Sequence, residues 1–143
     1  MNTADELFAL RLSEKRTSYM SLLRIHRLMS FSKASGSTLR SITTIIPKDL
    51  IADTLEISPQ NLSKLYQRKS LSRTQTEQLE GLTYLWGKIQ QELFIDDQQM
   101  MQRWLDTPVP ALDGEKPKSL MGTITGRKLV EQYLQKLSYG DYC

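Results

Sequence analysis

The 143-residue chain holds one cysteine, Cys143, and one histidine, His26. No internal disulfide can form, and thiolate and imidazole ligands are too few for a structural metal site. No apolar run approaches the roughly 18 residues that a membrane helix requires. The opening MNTADELFAL carries acids where a secretory signal would begin with basic residues, so a cytoplasmic protein is expected. The glycines form no phosphate-cradling loop, and neither a nucleophile-and-base pair nor a carboxylate cluster emerges. These absences predict a protein that is not an enzyme and carries no cofactor. Strand alternation is missing throughout, which leaves an all-α fold.

What is present is ordinary in bulk and uneven in placement. Hydrophobic residues make up 39% and charged residues 24%, as in globular domains, so wholesale disorder is not expected. The net charge of +3 conceals an asymmetry: residues 1–95 hold thirteen Lys/Arg against nine Asp/Glu, and residues 96–143 hold six against seven. A basic front and a near-neutral back point to different partners for the two parts.

Before Pro47 no proline interrupts the chain, and Leu7, Leu10, Leu22, Ile25 and Met29 recur at near-helical spacing. His26 borders that stripe in a structural or solvent-edge position, and Arg24 and Arg27 offer auxiliary phosphate contacts. SFSKASGSTLRS, rich in serine and glycine, reads as a linker closing an N-terminal arm over residues 1–45.

The segment 46–94 carries the densest local signals. Pro47 suits the first turn of a helix, and Ser58-Pro59 supplies a cap and first position for a second one. Ala52 is the small residue that lets two helices cross, and Ile51, Leu55, Ile57, Leu62 and Leu65 lock them together. This is the pattern of a helix-turn-helix. The second helix would present Ser58, Gln60, Asn61, Ser63, Lys64, Gln67 and Arg68, groups able to read base edges and hold phosphates, so operator DNA is the expected partner. Glu56 stands where the turn usually carries glycine. A capping box, Ser72 with Gln75, then opens a long amphipathic helix whose stripe is Leu79, Leu82, Trp86, Ile89 and Leu93, with Gly81 and Gly87 allowing close approach on another side.

In 95–143, Asp96 and Asp97 can cap a helix that stops before TPVP, and Asp113-Gly114 marks a turn. Thr123 or Thr125 can cap the terminal helix, with Leu129, Val130, Tyr133, Leu134 and Leu137 as its apolar positions. Gly140 can end that helix as its left-handed C′ residue.

The order of Trp104, Leu105, Pro108, Ala111, Leu112, Gly114, Pro117, Leu120, Thr123, Gly126, Val130, Leu134, Tyr139 and Gly140 resembles the toxin-binding domain named for Xre, MbcA and ParS. It departs from that pattern at Asp113, where a second glycine is frequent, and at Lys118, where an apolar residue commonly follows the proline. With the helix-turn-helix the resemblance covers the chain from Ile46 onward. It implies an antitoxin whose partner is a RES-domain toxin that consumes NAD, and which pairs with itself through a small helical toxin-binding and dimerisation domain. It also implies repression of its own operon. The alternative is a stand-alone transcriptional regulator whose back half only dimerises.

The ending, Tyr139, Gly140, Asp141, Tyr142 and Cys143, is the expected toxin contact. Asp141 and the chain's terminal carboxylate flank an aromatic ring, a set that suits a pocket built for a pyrophosphate and flat rings. Asp141 or the terminal carboxylate would meet a toxin arginine; the other outcome is that both tyrosines fold back on their own helix. Cys143 has no neighbouring histidine or thiol to activate it.

Overall fold

The structure is a computed structural model that describes residues 3–12 and 32–140. Among the described residues it is all-helical, with eight α-helices, two 3-10 turns and no strand. The longest, α5 (Arg73–Leu93), is the axis on which the rest is built. Its capping box forms as expected: the Gln75 N–H donates to Ser72 Oγ at 3.0 Å, and the Ser72 N–H donates to Gln75 Oε1 at 2.9 Å. Leu79, Leu82, Trp86 and Ile89 are buried and Leu93 is half-buried, so the stripe faces the core. Thr76 and Thr83 are buried too, their hydroxyls turned back onto the carbonyls of Ser72 and Leu79.

The two glycines of α5 mark its crossings. A Cβ on Gly87 would lie 3.1 Å from the carbonyl oxygen of Arg11, and one on Gly81 would lie 3.2 Å from Arg127 Nε. The first contact is with α1 (Thr3–Leu12), which buries Ala4, Leu7 and Phe8. Arg11 also bonds to Glu80 of α5, closing that edge. Leu22, Ile25, His26, Met29, Arg24 and Arg27 lie outside the described residues.

The serine-rich segment expected as a linker contains a helix, α2 (Gly36–Ile42). Ser35 caps it by accepting from the Thr38 N–H at 3.1 Å, and Leu39 and Ile42, one turn apart, are fully buried with Ala34. The small residues serve contact here. A side chain on Gly36 would collide with the backbone of Leu65 and Tyr66. Backbone bonds from Gly36 N–H to Arg68 O (2.9 Å) and from Leu71 N–H to Ala34 O (2.7 Å) fasten the stretch beside the exit of the next helical pair.

That pair is α3 (Lys48–Thr54) and α4 (Pro59–Leu62), the latter continued by a 3-10 turn over Ser63–Leu65. Pro47 sits one position before the first helical residue instead of inside the first turn. Then come α6 (Gln98–Leu105), a loop with a 3-10 turn at Pro110–Leu112, α7 (Pro117–Leu120) and α8 (Ile124–Ser138). Asp97 caps α6 by accepting from the Met100 N–H at 3.0 Å, and Thr123 caps α8 by accepting from the Gly126 N–H at 3.0 Å. Asp113 (φ 59°) and Gly114 (φ 80°) both take left-handed conformations at the expected turn. One apolar cluster runs from Ala4 to Leu134, with residues from both sides of position 94 contributing to it.

Candidate functional site

Two surfaces emerge, one on the elements that precede α5 in the chain and one on those that follow it. The first is built on α3 and α4. Leu50, Ile51 and Ala52 of α3 are buried, as are Leu62 and Leu65, while Ile57 packs against the core from the turn. The turn closes by two backbone bonds, Glu56 N–H to Asp53 O (3.2 Å) and Ile57 N–H to Ala52 O (3.0 Å). That is the double bond pattern of a left-handed helix stop, and Glu56 occupies its glycine position at φ 57°. The unexpected glutamate is thus held in the conformation that glycine would adopt there, at a strain of about 1 kcal/mol.

Above this base, Ser58, Gln60, Asn61, Ser63, Lys64, Gln67 and Arg68 are all exposed. Ser58 holds the cap position but its side chain makes no capping bond. Gln67 and Arg68 lie past the 3-10 turn, where the chain leaves the helix so that Arg68 O can accept from Gly36; the expected single helix face is therefore shorter than seven residues suggest. Arg40, Lys48, Lys69 and Arg73 are exposed on the same part of the chain.

One acid of α3 is engaged elsewhere. Lys118 Nζ donates to Asp49 Oδ2 at 2.9 Å, and that bond holds the Asp49 carboxyl below its usual range. Asp53 abuts Gly122, where any side chain would collide with its carboxylate. Sequence reasoning missed both ties, although Lys118 stood out as a departure from the family pattern and was the signal for one of them. A cleft of about 460 Å³ opens nearby, bounded by the α3–α4 turn at Thr54–Glu56, the start of α5 and residues 122–125.

The second surface is built on α6 and α8. Trp104 is half-buried, its ring 5.7 Å from Phe94 at 50° and stacked on Tyr133 at 6.4 Å and 10°. Val130 and Leu134 turn inward, whereas Leu129, expected on the apolar stripe, is 46% exposed. Two polar clamps fix α8 to α5. Arg127, only 8% exposed, donates to Met121 O at 3.0 Å and to Gln78 Oε1 at 2.8 Å. Burial pushes its pKa down, against the opposing pull of Glu80. Lys88 Nζ donates to Glu131 Oε1 at 3.2 Å. Partial burial disfavours its charge, but that bond and nearby negative charge outweigh burial and raise its pKa. Nothing in local spacing announced Arg127, whose partner is 49 residues away.

Of the expected toxin contacts, Tyr139 is 82% exposed and Gly140 adopts φ 66°, ending α8 as anticipated. Asp141, Tyr142 and Cys143 lie outside the described residues.

Residues 91–140, from the last turn of α5 through α6, α7 and α8, match the family model described as the antitoxin Xre/MbcA/ParS C-terminal toxin-binding domain. No curated protein and no solved structure matches the chain. The family match supports an antitoxin role within a toxin–antitoxin system, with a toxin as partner.

Proposed function

We propose that this protein is the antitoxin of a type II pair, acting in the cytoplasm on a RES-domain toxin that consumes NAD. The observation that carries this reading is the match of residues 91–140 to an antitoxin toxin-binding domain. In this reading the protein performs no chemistry. It neutralises by binding, with the segment Tyr139 to Cys143 reaching the toxin's substrate pocket, where Asp141 meets a toxin arginine. The rigid α8 carries the tail, which limits the entropy lost when it docks.

The α3–α4 surface has the chemistry for a second role, repression of the antitoxin's own operon by a homodimer. Short polar and cationic side chains stand out from a buried Leu62–Leu65 base, and Asp49 of α3 is paired with Lys118. A polyanion approaching this side meets exposed lysines and arginines alongside the exposed acids Asp53 and Glu56.

Co-expression with the RES-domain protein encoded beside it tests the reading. The two should co-purify, and growth and cellular NAD should be preserved. Deleting Asp141 to Cys143 should restore NAD consumption while the chain stays folded. Full inhibition by the truncated protein rules out the tail as inhibitor, and absence of any RES partner returns the protein to a stand-alone regulator.

A further inference from the structure

We infer that the toxin docks on an apolar face shared by α6 and α8, centred on Met100, Trp104, Leu129 and Tyr133, and that this face supplies affinity separately from the tail. The inference rests on the proposed antitoxin role and assigns the anchoring surface within it. Among the described residues, the large hydrophobic residues that stand exposed are Tyr84, Ile95, Met100, Ile124, Leu129 and Tyr139. All but Tyr84 fall within residues 91–140, so among the described residues the exposed large apolar side chains are concentrated in the toxin-binding match.

Isolated surface hydrophobics carry no meaning, whereas a contiguous set marks an interaction surface. These four are contiguous. Met100 precedes Trp104 by one helical turn in α6, and Leu129 precedes Tyr133 by one turn in α8, spacings that place side chains side by side. Trp104 and Tyr133 join the two helices by stacking at 6.4 Å. The result is a row that begins and ends on half-exposed side chains, Met100 at 47% and Leu129 at 46%, with two flat rings between them.

Its chemistry is that of an anchor. Trp and Tyr bring large apolar area with few rotatable bonds, and Met adapts its shape to a partner. Phe94, tilted against the Trp104 ring at 5.7 Å, helps hold that ring in place before any partner arrives, so less ordering remains for binding. The occupant that fits is the toxin, through an apolar patch of its own. The face runs along α8, the helix that also carries the tail, so a toxin seated on it has the tail within reach of its pocket.

Leu129→Lys and Met100→Lys test this without disturbing the core, because both side chains are already half in solvent. Ile124→Lys is the control: its side chain is 56% exposed and lines the cleft by the α3–α4 turn. The affinity of each full-length variant for the neighbouring RES-domain protein is measured with its unfolding midpoint and its oligomeric state. Each variant at the face should lose about 30-fold or more in affinity, the range of an interface anchor, with the midpoint retained. Leu129→Met should recover binding, and Ile124→Lys should bind as the unaltered chain does. Wild-type toxin affinity in folded Leu129→Lys and Met100→Lys overturns the proposal. Conversion of a dimer to monomer with toxin affinity intact does so too, and assigns the face to a second copy of the chain. If the unaltered chain captures no toxin, the antitoxin reading itself is lost.

Discussion

The surfaces built before and after α5 in the chain are clad in opposite ways. The α2–α4 side keeps its large apolar residues inside and shows solvent Lys, Arg, Asn, Gln and Ser; the α6–α8 side leaves Ile95, Met100, Leu129 and Tyr139 in the open. The first composition suits a hydrated polyanion, the second a protein partner, and a net charge of only +3 concealed the difference. Both surfaces nevertheless rest on one core, which makes them distinguishable by mutation in graded ways.

The largest expected effects come from two glycines, one on each side. Gly36→Ala would drive a Cβ into the backbone of Leu65 and Tyr66, and Gly126→Ala into the Leu120 carbonyl. Because backbone cannot yield as a side chain can, each should destabilise by about 3 kcal/mol. If the core is cooperative, either change lowers one shared thermal transition; two separate transitions would break the comparison into two independently folding halves.

Next in size is Lys64→Ala with Arg68→Ala. On the DNA-binding reading the pair should reduce affinity for the protein's own promoter by about 10-fold or more and lower the slope of log K against log salt by about 2. Toxin capture should be unchanged. Unaltered promoter binding would remove the α3–α4 surface from consideration as the DNA contact.

Glu56→Gly should stabilise modestly, by about 0.5 kcal/mol, since relief of left-handed strain is partly offset by glycine's greater freedom when unfolded. A denaturant midpoint that falls would mean that the Glu56 side chain contributes contacts beyond its backbone role.

The smallest effect concerns the tie between the two sides. The Asp49 carboxyl is held below its ordinary value of 3.8, so its contribution to stability is fully present above that pH and is lost as pH falls through the lower folded value. Asp49→Asn should therefore leave stability at neutral pH nearly unchanged, because the pair is exposed, and should flatten the pH dependence below about 4. An unchanged acid limb would show that Lys118 does not select the ionised carboxyl in solution.

How much of this was legible in the chain varied with the range of the interaction. Caps are local, and Ser72, Asp97, Thr123 and Gly140 each took the expected place. The stripe of α5 was legible for the same reason. The α2 helix was hidden because serine and glycine carry the signature of a loop, whereas here they serve close packing against residues 65–71. The left-handed position at Glu56 was hidden by a side chain that seldom adopts it, whereas Asp113, a residue type that tolerates it, was legible as part of a turn; in both places the backbone kept glycine's shape. The exposure of Leu129 could not be read either, since its spacing from Tyr133 fits a buried stripe as well as a rim. Arg127, Gln78 and Gly81 come together only in three dimensions, across 49 residues of chain.

The placement of that arginine bears on how such a protein can be recombined. The family-matched stretch begins at Gln91, yet the groups that seat α8, namely Gln78 beneath Arg127, the bare backbone at Gly81 and Lys88 opposite Glu131, all lie upstream of it. A chimera joined at residue 91 would inherit α6 to α8 and lose their seat. Moving α6 to α8 between two such chains therefore requires carrying α5 across with the segment it supports.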